Sequence, residues 1–89
     1  MATTVINKKT EPFDVYIGRP SPWGNPWVIG KDGTRDFVID TYKMYFDQRI
    51  ANDYYFRRDI LKLKNKRLGC FCKPFRCHGD IIVDYLNNL

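Results

Sequence analysis

The sequence predicts a small α/β domain, a short parallel or mixed sheet of about three strands flanked by helices in the order β-β-α-α-β-α. Three observations carry this. Short β-branched runs lie near the start, at Thr3–Asn7 and Phe13–Gly18. Ile39, Tyr42, Phe46 and Ile50 recur at helical spacing in the middle of the chain. A further buried-looking run, Arg67–Cys72, follows the helices, and strand–helices–strand from Val15 to Cys72 calls for a parallel crossover.

The remaining elements follow in order. Lys8–Pro12 is polar and turn-like. Arg19–Pro26 holds prolines, a glycine and an asparagine, so neither helix nor ladder persists there. Trp27–Ile29 reads as a brief extended piece closed by Gly30 and the Asp32-Gly33 turn. Thr34 is a good N-cap with Asp36 in the first turn, and the helix it opens runs to about Ala51. Asn52 or Asp53 caps a second helix with Tyr54, Ile60, Leu61 and Leu63 on its apolar side. Lys73–Cys77 is a tight loop. Ile81–Leu89 forms the last helix, with Ile81, Ile82, Tyr85, Leu86 and Leu89 inward.

One domain accounts for all 89 residues, near the size at which a single core just suffices. Apolar residues make up 44% and aromatic residues 16%, which excludes a disordered tail. A net charge of +5 favours anionic partners. The three cysteines, two of them separated by one residue, argue against a disulfide scaffold and for a reducing cytoplasm. No signal-peptide pattern or membrane-length apolar run is present, so no membrane partner is expected.

Two loops concentrate the chemistry. Ligands of open parallel sheets bind beyond the carboxyl ends of the strands, and the loops at Gly18–Trp27 and Cys70–Asp80 both fall there. In the first, Gly18 and Gly24 permit close backbone approach, and Arg19 offers a planar fork for phosphate or carboxylate. Ser21 and Asn25 add short polar arms, and Trp23 or Trp27 supplies a stacking ring. In the second, Cys70, Cys72, Cys77 and His78 invite a zinc reading. Their spacing departs from usual zinc patterns, and adjacent Cys77 and His78 do not easily point at one ion. The expectation is therefore no metal cofactor, with zinc as the alternative, and small cysteines packing the strand at Cys70 and Cys72. A helix beginning near His78, preceded by Lys73 and Arg76, reads as an anion site that lowers the Cys77 thiol pKa and keeps His78 neutral. His78 with Asp80 is the candidate acid–base or orienting pair.

The pairing of Y-I-G-R-P-S-P-W-G-N-P-W (Tyr16–Trp27) with L-G-C-F-C-K-P-F-R-C-H-G-D (Leu68–Asp80) resembles a family of short phage, bacterial and archaeal proteins catalogued as domain of unknown function 4326. Phe71 between the first two cysteines, Lys73-Pro74, the Cys77–Asp80 run and Gly33-Thr34-Arg35 carry the likeness. The resemblance implies a compact domain carried by phages and mobile elements, acting in the host cytoplasm. Its loops look like those of small Rossmann-like nucleotide-binding domains, an analogy of fold only.

Three function classes compete. The leading one is a phage-type accessory domain binding a nucleotide-like or ribosylated phosphate-bearing small ligand, by sequestration or hydrolysis. Gly18, Arg19, Ser21, Trp23, Gly24, Asn25, Lys73, Arg76 and Cys77 would bind it, and His78 and Asp80 would orient or cleave it. The second is a basic nucleic-acid-binding protein using Lys62, Lys64, Lys66 and Arg67. The third is a host-protein inhibitor acting through an aromatic patch at Tyr54–Arg58, a segment that also offers a face for homo-oligomerisation.

Overall fold

Successive residues of a strand face opposite ways, and the run Arg67–Cys70 shows what that alternation does here. Leu68 and Cys70 are buried, while Gly69 between them presents no side chain. In the computed structural model, which describes residues 2–89, this run is β3. It lies between β1 (Thr4–Asn7) and β2 (Val15–Tyr16) in an all-parallel sheet of order β1-β3-β2. Val5 and Val15 both pair with Leu68, so one apolar row crosses the sheet.

Helices cover the face that bears this row. Thr34 opens α1 (Arg35–Asn52), its hydroxyl accepting the Phe37 N–H. Asp53 then closes α1 and caps α2 (Tyr54–Ile60), accepting the Phe56 N–H at 3.0 Å. A single 3-10 turn, Leu61–Leu63, leads to β3, and α3 (Gly79–Asn87) ends the domain. Ile17, Tyr42, Phe46, Phe56, Ile60, Leu68, Ile82 and Leu86 form one core between helices and sheet. Thr3 and Asn87 exchange two hydrogen bonds that tie the first strand to the last helix.

The opposite face is crossed by the segment that joins β1 to β2. Residues 8–14 run from the end of β1 to the start of β2, and those strands flank β3 on either side. The segment must therefore cross β3, and it does so over Gly69, where Phe13 lies against the backbone; a Cβ on Gly69 would sit 2.8 Å from the Phe13 ring. Asp14 pins the far end, accepting from the Arg67 backbone and guanidinium. The sheet is thus covered by helices on one side and by a loop on the other, where helices flanking the sheet were expected.

Several boundaries differ from expectation for local reasons. β2 shrinks to Val15–Tyr16 because Phe13 belongs to the crossing segment, although the Ile17 N–H still reaches the Gly69 carbonyl. β3 stops at Cys70, where the chain turns toward Lys73. Residues 27–29 form no strand; Ile29 makes an isolated bridge with Gly33. Leu89, expected inward, lies beyond α3 and is 61% exposed, and Tyr54 and Leu61 are likewise exposed.

Replacing Gly69 with alanine or valine should displace Phe13 and destabilise the fold by about 1–3 kcal/mol. Urea unfolding followed by circular dichroism measures this. Unchanged stability would show that the crossing segment does not need the bare backbone at Gly69.

Candidate functional site

Parallel strands end at one edge of their sheet, and here that edge opens into a cavity of about 310 Å³. Residues after β2 (Gly18, Arg19, Asn25, Trp27) and residues at and after β3 (Cys70, Phe71, Cys72, Cys77, His78) line it together. Val38 and Ile39 of α1 supply an apolar wall, and Tyr16 closes the far side. The two sequence-distant loops therefore do meet. Both turn through cis X-Pro bonds, at Arg19–Pro20 and Lys73–Pro74.

The first loop is held from within. Gly24 packs on the backbone of Gly18 and Arg19, where a Cβ would come within 3.0 Å of the Arg19 nitrogen. Arg19 Nη1 donates to the Asn25 carbonyl at 2.8 Å. Buried Asn25 donates to the Val38 carbonyl and accepts the Trp27 N–H, locking the loop to α1. These bonds leave Arg19 Nε and Nη2 without protein partners among the described residues.

His78 immediately precedes α3 and is 8% exposed. Its Nε2 lies 2.7 Å from the Ile17 carbonyl, which fixes the tautomer: Nε2 carries the proton, and Nδ1 is left with its lone pair. Among the described residues Nδ1 has no protein partner, and no buried polar side-chain atom is left unpaired, so Nδ1 is not sealed off, and His78 is one of the residues that line the cavity. Burial, aided by the Arg19 charge, holds the His78 pKa below its usual 6.5. The ring also packs edge-on to buried Tyr42, at 5.2 Å between centroids.

The thiols behave differently from expectation. Cys70 and Cys77 sulfurs lie 3.1 Å apart and are hydrogen-bonded, with either thiol able to donate. That bond holds Cys70 down to about 6, while the same bond and burial push Cys77 up. The acidic thiol is Cys70. The Gly79 N–H at the helix N-terminus does lower the Cys77 pKa, but the thiol's bond to Cys70 and its burial outweigh that contact.

The expected anion site at that N-terminus is filled by the chain itself. Asp80 accepts the Cys77 N–H, and the Cys77 sulfur accepts the Gly79 N–H. Lys73 is paired with Asp80. Arg76 is paired with Asp36 and Asp40 of α1, and its carbonyl accepts from Arg35. Neither cation lines the cavity, and the Asp80 oxygens bond Lys73 and the Cys77 N–H, with no hydrogen bond to the His78 ring among the described residues. Ser21 and Trp23 also stand away from it: the serine hydroxyl accepts the Trp23 N–H, and the Trp23 ring packs on Phe56 at 5.4 Å.

The cavity also uses residues that the sequence reading did not assign to the site. Tyr16, Val28, Ile29, Val38, Ile39 and Phe71 belong to this group. Phe71 carried a signal, as a large ring between two cysteines that is 52% exposed. The α1 residues carried none, because apolar residues at helical spacing look the same whether they face a core or a cavity. Elsewhere, Lys62 and Arg67 of the basic stretch are paired with Asp59 and Asp14. Tyr54 and Tyr55 are exposed against one another, well apart from the cavity-lining residues in sequence. Among the described residues no helix is long and apolar enough to cross a membrane.

Two relatives of the chain are viral proteins. It is 43% identical over 86 residues to an uncharacterized 12.4 kDa protein from the nrdA-td intergenic region of Enterobacteria phage T4, covering 96% of this chain and 78% of that one. It is 32% identical over 88 residues to an uncharacterized protein of Acanthamoeba polyphaga mimivirus, covering 79% of this chain and 64% of that longer protein. No solved structure matches. The model of the family described as Domain of unknown function (DUF4326) matches residues 4–88, and the chain belongs to that family.

Proposed function

We propose that this domain binds a nucleotide-like or ribosylated, phosphate-bearing small ligand in the cavity between its two loops. One observation carries the reading: a cavity at the carboxyl edge of a parallel sheet combines aromatic walls, an arginine with free donors and a neutral imidazole nitrogen. That edge is where Rossmann-like sheets place their ligands, and the likeness to them is meant in this sense. A cavity of about 310 Å³ lies at the small end of ligand sites, suited to a base or sugar more than to a dinucleotide.

The roles follow from the free groups. Arg19 Nε and Nη2 form the bidentate edge that suits phosphate. Trp27 takes the stacking role in place of Trp23. His78 Nδ1 accepts a hydrogen bond from a ligand hydroxyl or amine. Asp80 is engaged by Lys73 and the Cys77 N–H, which leaves the imidazole without a carboxylate partner. That arrangement supports holding the ligand, hence sequestration, over hydrolysis.

Calorimetric titration with purine and pyrimidine ribonucleoside monophosphates and with ribose 5-phosphate tests this. At least one should bind, and Arg19→Ala should weaken it roughly ten- to hundred-fold through loss of a charge-assisted contact. Arg76→Ala should leave affinity within about threefold, since Arg76 faces α1. No binding by any of these probes, or equal loss in both variants, refutes the proposal.

Nitrogen-detected NMR of the only histidine gives a second check. His78 should show the Nε2–H tautomer at pH 7 and titrate below 6.5. Because the folded pKa lies below the unfolded one, this residue's contribution to stability is full above 6.5 and is lost as pH falls through the folded value. A normal or raised pKa would remove the neutral acceptor from the site.

A further inference from the structure

The floor of the cavity holds a second, distinct set of groups: Cys70, Cys72 and Cys77, whose sulfurs all lie within 4.8 Å of one another. We propose that these three thiolates form a binding site for a zinc-class metal ion whose fourth coordination position faces the cavity.

The geometry is the first argument. Tetrahedral zinc with Zn–S near 2.3 Å requires sulfurs about 3.8 Å apart. The closest pair here stands at 3.1 Å and the whole set within 4.8 Å, so the required spacing falls between the two. All three cysteines are free, and none is committed to a disulfide.

Local structure is the second. Cys70 ends β3, and a tight turn brings Cys77 back beside it, with the Phe75 N–H bonded to the Cys72 carbonyl at 2.8 Å. Asp80 fixes the Cys77 backbone, and the Gly79 N–H points at the Cys77 sulfur at 3.1 Å. An N–H aimed at a ligating sulfur is the outer-sphere support that metal thiolates ordinarily receive.

Packing is the competing explanation, because cysteine often serves as a small apolar residue. It accounts for buried Cys70 and Cys77 but not for the convergence of half-buried Cys72 on the same point at the cavity wall. Sulfur donors select zinc over magnesium or calcium. His78 stays outside the set, because only the three cysteine sulfurs close on one point and neither ring nitrogen joins them, so three protein ligands remain and the fourth position is open. Lys73, directly after Cys72, adds a positive charge that acts on Cys70.

The proposal does not rest on the ligand reading, and its test contains no nucleotide. The untagged chain, reduced and stripped with chelator under anaerobic conditions, is titrated with Zn²⁺ and separately with Co²⁺. The expected result is one Zn²⁺ per chain by native mass spectrometry and an intense thiolate-to-cobalt charge-transfer band. Bound zinc should slow alkylation of all three cysteines, located by peptide mapping, at least tenfold. Cys72→Ser should weaken Zn²⁺ binding by more than the roughly ten- to hundred-fold that loss of an outer-sphere partner costs. Thiol protection in the unaltered chain decides the matter even if that variant folds poorly. Absence of the cobalt band, equal alkylation with and without zinc, or a Cys70–Cys77 disulfide in the reduced preparation overturns the proposal.

Discussion

The central strand is the constraint from which the rest follows. β3 has a parallel neighbour on each edge, so all strand ends gather on one side of the sheet. Strand ends leave carbonyls that need partners, and each is met by a nearby group. The Asn7 carbonyl takes the Thr10 and Glu11 N–H groups, the Cys70 carbonyl takes the Lys8 N–H, and the Ile17 carbonyl takes the His78 imidazole. The last of these bonds is decisive. It draws the start of α3 against the end of β2, sets the imidazole tautomer and leaves Nδ1 as the spare nitrogen.

Charge is distributed by the same logic. Cations of the loop after β3 secure that loop: Lys73 pairs with Asp80, and Arg76 with Asp36 and Asp40. Surface pairs of this kind are each worth at most about 1 kcal/mol, so their effect here is to orient loops more than to stabilise the fold. Arg19 differs because its one protein bond goes to a neutral carbonyl. Its charge is not cancelled by a neighbouring carboxylate, and it projects where the two loops meet.

What the sequence made legible was whatever is encoded locally. Thr34 and Asp53 stand at helix starts because their side chains cap the very next turn. The parallel pairing of β2 and β3 followed from the helices between them. Distant partnerships were not legible. Nothing near Arg76 announces that its acids lie on α1, and nothing near Trp23 announces Phe56. Residue types that bind phosphate also bind carboxylates of the same chain, so Lys73 and Arg76 looked like ligand contacts. The gathering of the three sulfurs was not legible either, because the turn after β3 that brings Cys77 back beside Cys70 and Cys72 is not written in their linear spacing. The bare backbone at Gly69 was likewise invisible as a crossing point, because its reason is a segment that passes over it.

The imidazole and the arginine are coupled, and the order of their effects matters for the site. Burial is the larger cause holding His78 neutral, with the Arg19 charge adding to it. An anion seated on Arg19 would cancel much of that smaller effect while covering the cavity and deepening the larger one. The imidazole would then stay neutral with a ligand present, its proton still committed to the Ile17 carbonyl. A side chain so placed accepts a hydrogen bond equally well before and after binding, which is what recognition needs. Releasing a proton to the ligand is not open to it without breaking the contact that joins α3 to the sheet.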